Sequence, residues 1–448
     1  MLVIKQTNKR ISWHEMIPVI LIATVTCIGL ITVVLCKPSV TIKNHNIGIY
    51  WMIVLMGAVV MICSRKISLS EVFSGLTADT AVNPLKILIL FLSMSTLSIF
   101  LDEIGFFRYL ANQVLKRAKT SQKILFFYLY FAVSVLTVFT SNDIIILTFT
   151  PFICYFTKHA KINPFPYLFA EFVAANTWSM LLVIGNPTNV YLATANGIDF
   201  IHYLTVMLVP SILGGLAALF SLYLVFHRML QKPMVSEYEE VRIQDKGLLG
   251  IGLGHLSACT ILLVLSSYIH LEMWLITICF ALSLFLTVFV YQRMKKRQGH
   301  ELVHCLKRVP WELIPFIISM FVIVLALDKY QITGMIAAAL NSEETVFSYG
   351  ISSFITANLI NNIPMSVLFG SVVQNAEVAV KLPGIYAAII GSNVGAIFTP
   401  IGALAGIMWT GILKEHQIDF NFRKYIRYGL TISMPTLMLA LFGLWLVM

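Results

Sequence analysis

Charged side chains are scarce in this sequence. Lys, Arg, Asp and Glu make up 12% of its 448 residues, about half of the ~25% usual in a soluble domain. Long polar stretches are missing as well. The longest, His227–Lys246 and Tyr291–Arg308, are too short to hold a core, which excludes a sizeable soluble domain. No Walker-type phosphate loop occurs, so the chain is not expected to hydrolyse ATP itself. The cysteines, Cys27, Cys36, Cys63, Cys154, Cys259, Cys279 and Cys305, are scattered and form neither a disulfide framework nor a CxxC metal site. They read as small apolar residues.

What is abundant is hydrocarbon. Hydrophobic residues make up 58% of the chain and the mean hydropathy is +0.85. Unbroken apolar blocks such as Met16–Cys36, Ile47–Cys63, Leu85–Leu101 and Leu204–Phe226 reach or approach the ~20 residues of a spanning helix. The expectation is an all-α polytopic membrane protein in the cell (plasma or inner) membrane. Lys5, Lys9 and Arg10 make a basic start, but the long apolar run behind them has no small-x-small cleavage site, so a secretory signal is not expected.

The net charge of +10 follows the membrane rather than a nucleic acid. Ten full spans, plus two shorter hairpins that return to the side they left, place 23 of the 31 Lys and Arg on one face. That face is expected to be cytoplasmic, with both termini outside. Lys5, Lys9 and Arg10 run against this arrangement.

The sequence repeats itself. Pro84, Ser93-Met94 and Asp102 recur at identical spacing as Pro310, Ser319-Met320 and Asp328. Ser141-Asn142 aligns with Asn361-Asn362, Asn176 and Gly185 with Asn393 and Gly402, and the IDF of Ile198–Phe200 with Ile418–Phe420. The chain therefore divides into a first repeat, 11–230, a cytoplasmic linker, 231–246, and a second repeat, 247–448. Each repeat holds five spans, one re-entrant hairpin and one broken helix. An odd number of spans inverts the second repeat, the ground plan of many secondary transporters.

The hairpins are expected at about 124–157 and 346–375, the broken helices at about 166–196 and 384–413. Pieces of 11 to 17 apolar residues are short for full crossings, and the polar apices Ser141-Asn142-Asp143 and Asn361-Asn362 cannot sit in lipid. The breaks are written as GNPTN, Gly185–Asn189, and TPIG, Thr399–Gly402. Proline removes a backbone donor and glycine relaxes the dihedrals, so amides and carbonyls are freed there. Half-helix ends carry partial charges. Two tips and two breaks meeting near the midplane would bind a small polar solute with a cation or proton beside it.

Asp143 stands apart as the acid of a hairpin tip. An intramembrane carboxylate marks an ion or proton path, with a helix cap as the alternative role. Glu171 is a second proton-coupling candidate. Asp102 and Asp328 read as interfacial, Asp199 and Asp419 as helix caps. The run HELVH, His300–His304, matches the HExxH of zinc proteases, with His300 and His304 as metal ligands and Glu301 as base. It lies in a basic loop without an obvious third ligand, so a metalloprotease is the distant alternative.

At these residues the sequence resembles a known family. SNDIIILTFTP looks like the Asn-Asp…Leu-Thr-x-Pro pattern of the arsenical pump membrane proteins. NTWSMLLVIGNPTNVYLA and SNVGAIFTPIGALAGIMW resemble the broken helices of the wider ion transporter superfamily, which includes citrate and dicarboxylate carriers and sodium/proton antiporters. The resemblance covers roughly 15–448. It implies elevator-like alternating access in a homodimer, and substrate and ion ligands at Ser141, Asn142, Asp143, Asn176, Thr177, Gly185, Asn186, Asn189, Asn361, Asn362, Asn393, Thr399 and Gly402. Dicarboxylate carriers of the superfamily have Ser-Asn-Thr at both tips; here the tips read Ser-Asn-Asp and Asn-Asn-Ile. A negative Asp143 suits a neutral hydroxide such as arsenous acid better than an anion. The expected function is thus proton-coupled efflux of arsenite or antimonite. Cation-coupled transport of citrate, a dicarboxylate or another small anion, and sodium/proton antiport, stay open as alternatives. No cofactor is expected beyond a transmembrane proton or sodium gradient. A separate ATPase subunit is a conceivable partner.

Overall fold

Apolar blocks in this chain become helices because lipid leaves the backbone no partner but itself. The structure is a computed structural model that describes residues 12–36, 39–42, 45–78, 83–234, 242–296, 299–418 and 421–448. The basic start at Lys5, Lys9 and Arg10, the loop charges Lys37, Lys43 and Arg297, and the expected cap Asp419 lie outside the described residues.

The first half contains α1 (Trp13–Cys36), α2 (Tyr50–Cys63), α3 (Leu69–Thr77), α4 (Pro84–Glu103) and α5 (Phe106–Ala118). The pairs α6 (Gln122–Phe139) and α7 (Asn142–His159), then α8 (Phe165–Trp178) and α9 (Pro187–Thr194), lead to the long α10 (Phe200–Phe226). The second half runs α11 (Lys246–Ile269), α12 (Met273–Met294), α13 (Glu301–Arg308), α14 (Leu313–Lys329) and α15 (Ile332–Leu340). It continues as α16 (Thr345–Ile360) and α17 (Asn362–Gln374), α18 (Val378–Phe398) and α19 (Leu404–Glu415), and α20 (Phe422–Val447). Among the described residues each half thus holds ten α-helices. One addition is an antiparallel strand pair between α1 and α2, β1 (Ser39–Ile42) and β2 (His45–Gly48), in register Val40 to Ile47.

Among the described residues nine helical stretches are long and apolar enough to cross a membrane, and the chain is a multi-pass membrane protein. The count differs from the ten spans expected. The 18-residue α6 meets the length of a crossing, while α8 stops at 14 residues and α2 is also 14 residues long. Burial sorts the rest: 78% of the apolar window of α4 and 83% of that of α18 is buried, against 28% for α1, α11 and α12. So α4 and α18 are interior helices, and α1, α11 and α12 leave most of their surface exposed on the outside of the bundle.

Local chemistry sets the helix ends. Asn83 caps α4 by accepting from the amides of Leu85 and Lys86, with Pro84 at the first position where no donor is needed. Asp199 accepts from the amide of His202 and caps α10, as read from the sequence. Asp245 does the same for α11. The segment joining the halves starts beside the first hairpin, where the Met234 amide donates to the Thr120 carbonyl at 3.0 Å.

Candidate functional site

The two hairpin apices are built differently. Between α6 and α7 the chain turns through Thr140 and Ser141 in ordinary extended conformations, and Ser141 has φ −80° and ψ 140°. Between α16 and α17 the turn rests on one residue, Asn361, with φ +75° and ψ 154°. Its Oδ1 accepts from the Ile363 amide at 3.3 Å, and its Nδ2 donates to the Ile401 carbonyl at 3.0 Å. The second tip is thereby tied to the second helix break.

The breaks share one device. Gly185 donates its amide to the Leu182 carbonyl, and Gly402 donates to that of Thr399, each closing a short 3-10 turn. A Cβ on Gly185 would stand 2.3 Å from the Ser179 carbonyl oxygen, and one on Gly402 would stand 2.7 Å from that of Gly395. Each glycine is required because the returning backbone presses on the end of the preceding helix. The first break opens earlier than its sequence suggested. Helix α8 ends at Trp178, and the apolar residues up to Ile184 are no longer α-helical. Carbonyls freed there are captured by Asn189, whose Nδ2 donates to Ser179 at 2.7 Å and Leu182 at 3.2 Å.

Buried amides then join the halves. Asn142 at the first tip donates to Asn176 Oδ1 at 3.1 Å, and Asn176 donates back to the Phe172 carbonyl at 2.8 Å. Asn393 of α18 is the hub. Its Oδ1 accepts from Ser179 Oγ and Asn186 Nδ2, both at 2.9 Å, and its Nδ2 donates to Asn189 Oδ1 at 2.7 Å and the Ile389 carbonyl at 2.8 Å. Asn358 of α16 donates to the Gly395 carbonyl, farther along α18, at 2.9 Å and accepts from Thr399 Oγ1 at 2.6 Å. One hydrogen-bonded line thus runs from the first tip through the first break to α18, where Asn358 extends it to the second break. Asn176, Asn189 and Asn393 are fully buried.

Several polar atoms along this line lack partners. Ser141 Oγ, Thr177 Oγ1, Asn362 Oδ1 and Ser392 Oγ are buried with no hydrogen bond among the described residues. Each such group away from water is expensive. Ser141 and Asn362 stand at the hairpin tips, and Thr177 and Ser392 adjoin Asn176 and Asn393; first-turn amides of α7, α9 and α17 are taken up by the side chains of Asn142, Asn186 and Asn361. A narrow cleft of about 10 Å³, room for about one water molecule, adjoins the second tip, lined by Leu30, Tyr50, Phe316, Asn361, Ile363 and Leu404.

The two candidate acids occupy different places. Asp143 stands at the first tip, part-buried, its amide donating to Asn142 Oδ1 at 3.0 Å. No ion pair among the described residues engages it. Tyr50 of α2 lies within its electrostatic reach and hydrogen-bonds to Glu312. Glu171 is away from the tips, fully buried on α8, where Thr150 of α7 donates to it at 3.0 Å and the Trp409 indole lies beside it. The HELVH run lies on and just before α13. There Glu301 accepts from Gln292 at 2.9 Å and His304 stands 3.3 Å from Glu103.

Sequence reading did not single out Ser179, Asn358, Thr150 or Tyr50. Ser179 and Asn358 carried a signal, a polar residue within three positions of an already suspected one, Asn176 or Asn361. Tyr50 carried none, since a tyrosine beginning an apolar helix is ordinary.

Known proteins share this pattern. The CitMHS citrate transporter family matches residues 47–388. The chain is 25% identical over 419 residues to an arsenical pump membrane protein of Escherichia coli, covering 90% of this chain and 94% of that one. A putative arsenical pump membrane protein of Bacillus subtilis is 24% identical, covering 86% and 91%. Among solved structures, the Alcanivorax borkumensis YdaH transporter has a TM-score of 0.56 at 15% identity, covering 96% of this chain and 98% of that one. Neisseria gonorrhoeae MtrF has a TM-score of 0.50 at 14% identity, covering 96% and 94%. These neighbours are transporters, and the likeness in fold runs nearly end to end. With three quarters of its length matched and its helices arranged as theirs are, the chain belongs to the CitMHS citrate transporter family and is a secondary transporter.

Proposed function

We propose that this transporter exports arsenite or antimonite in exchange for protons, by alternating access of a site between the two hairpin tips and the two helix breaks. The observation that carries the reading is Asp143, a part-buried tip carboxylate with no ion-pair partner among the described residues. A bare carboxylate repels an anion and accepts a proton or sodium ion. Neutral arsenous acid offers hydroxyl groups that can donate to Asn and Ser oxygens and accept from freed amides. The arsenical pump relatives support the same substrate class. In this reading the two repeats are inverted in the bilayer, with the basic loops cytoplasmic, and each repeat supplies one tip and one break.

Proton coupling follows from charge balance. With Asp143 ionised, entry of a proton neutralises the tip and lets the loaded site cross a low-dielectric barrier. In the opposite half-cycle arsenous acid takes the proton's place, its hydroxyls donating to the ionised carboxylate, so that one positive charge enters for each neutral molecule exported. A second reading, cation-coupled transport of citrate or a dicarboxylate, is favoured by the family match, and in it helix N-termini at the tips and breaks would face the anion. There sodium would neutralise Asp143 while the amides hold the carboxylates.

Everted vesicles with an imposed proton gradient separate these readings. Wild-type protein is expected to accumulate arsenite, and Asp143→Asn is expected to lose at least about tenfold of the driven rate. Wild-type vesicles that are inert with arsenite but take up citrate or succinate with sodium would replace the first reading by the second.

A further inference from the structure

Asp102 and Asp328 occupy equivalent positions, one at the end of α4 and the other at the end of α14. Hydropathy alone makes both interfacial. The structure ties both to the returning arm of their own hairpin. Thr148, on the returning arm of the first hairpin, donates to Asp102 Oδ1 at 2.6 Å. Ser371 and Asn375, on and just past the returning arm of the second hairpin, donate to Asp328 Oδ1 at 3.0 and 2.6 Å. Thr333 of α15 completes the second cluster at 2.6 Å.

Each cluster also reaches across to the other half. Glu103 and Asp102 hold Arg308 of α13 at 2.8 and 2.5 Å. Lys329, next to Asp328, holds Glu71 of α3 at 2.8 Å. Helices α3 and α13 stand at the same place in the two repeats, yet the signs are exchanged: acid on α4 with base on α13, base on α14 with acid on α3. Both hairpins are therefore tied to an interior helix of their own half, which is braced by a short helix of the other.

We propose that Asp102 and Asp328 are positioning residues that hold the returning arms of the two hairpins, and that release of these bonds accompanies movement of the tips during transport. The inference rests on the tips lining the transport site. Neither aspartate touches a tip residue in the described contacts, so each acts through the hairpin arm. A hydrogen bond to a charged group is worth enough for about a tenfold change in the released population. The paired arrangement makes the test internal, because each half controls for the other.

The test uses full-length protein in vesicles with Cys154 as the sole remaining cysteine. Cys154 lies on α7 beyond Thr148 and is buried, so its rate of thiol labelling reports loosening of that arm. Thr148→Val, which keeps the volume and removes the donor, is expected to raise labelling about tenfold. In the same vesicles it is expected to change the maximal solute rate more than KM. Thr148→Ser, which restores the hydroxyl, is expected to return both to wild type. At the other cluster, Lys329→Glu is expected to alter the maximal rate, and Glu71→Lys in the same chain is expected to restore it. Labelling and rates within twofold of wild type in both Thr148→Val and Lys329→Glu would overturn the proposal. So would a rise in labelling that Thr148→Ser fails to reverse. If no tested solute moves in wild-type vesicles, the transport reading fails, while Cys154 labelling still decides whether Thr148 holds the arm.

Discussion

Replacing Asn393 by alanine removes three hydrogen bonds to the first break, although Ser179 Oγ keeps a second one to the Asn176 carbonyl at 2.9 Å. Ser179 Oγ and Asn186 Nδ2 lose their acceptor at 2.9 Å, and Asn189 Oδ1 loses its donor at 2.7 Å. In water-soluble cores each orphaned group costs about 1–3 kcal/mol. Within a membrane the unfolded reference also finds partners, and measured values average about 0.6 with a maximum near 1.7 kcal/mol. Three bonds at that scale come to about 2–5 kcal/mol, and the lower end is already about 30-fold in an equilibrium. The three lost partners all lie at the first break, so the loss should loosen the join between α9 and α18. Thermal unfolding of the detergent-solubilised protein, followed by size-exclusion chromatography, reads the stability; vesicle uptake reads the function. Asn393→Ala is expected to lower the midpoint by several degrees and uptake by at least about tenfold. Asn393→Asp is expected to be as damaging, because it keeps the acceptor but turns an oxygen toward Asn189 Oδ1 and the Ile389 carbonyl. A midpoint and uptake both indistinguishable from wild type in Asn393→Ala would refute the role of the hub.

Three further outcomes follow from the same geometry. Gly185→Ala and Gly402→Ala should abolish uptake, since the added Cβ meets backbone oxygens at 2.3 and 2.7 Å, whereas Gly411→Ala, with nothing within 4 Å, should keep it and slightly stabilise its helix. Glu301→Gln should leave uptake within twofold of wild type and purified protein free of stoichiometric zinc by elemental analysis, because Glu301 serves as partner to Gln292. Burial opposes ionisation of Glu71, but hydrogen bonds from Lys329 and Ser68 prevail and hold its carboxyl below the usual range. A depressed carboxylate stabilises above its unfolded pKa and loses that effect as pH falls through the folded value. The midpoint of wild type should therefore fall more than that of Glu71→Gln on acidification below about pH 4.

Much of this architecture is visible in the residues because lipid makes polar interruptions costly. Ser-Asn-Asp and Asn-Asn inside apolar runs mark places where the chain turns, and Gly185 and Gly402 mark places where backbone must pass close to backbone. The end of α8 was hidden for the opposite reason. Met180–Ile184 is fully apolar, and its departure from the helix depends on carbonyls captured by Asn189, seven to ten residues further on. Helices α3, α5, α13 and α15 escape a hydropathy reading because stretches of 8 to 13 residues are too short to register as crossings. Asp102 and Asp328 illustrate the limit most plainly. Their position in sequence shows the end of a helix, but their partners at Thr148 and Ser371 are set by tertiary packing.

The two hairpin tips are not interchangeable. Asn361 carries a positive φ with an extended ψ, a region populated almost wholly by glycine, while Ser141 is relaxed. Holding a side-chain residue there stores about 1–3 kcal/mol, maintained by the bonds to Ile401 and Ile363. The second tip is thus a wound spring facing a slack one. In the alternating-access reading proposed above, strain confined to one tip would make the two orientations of the empty transporter unequal in energy.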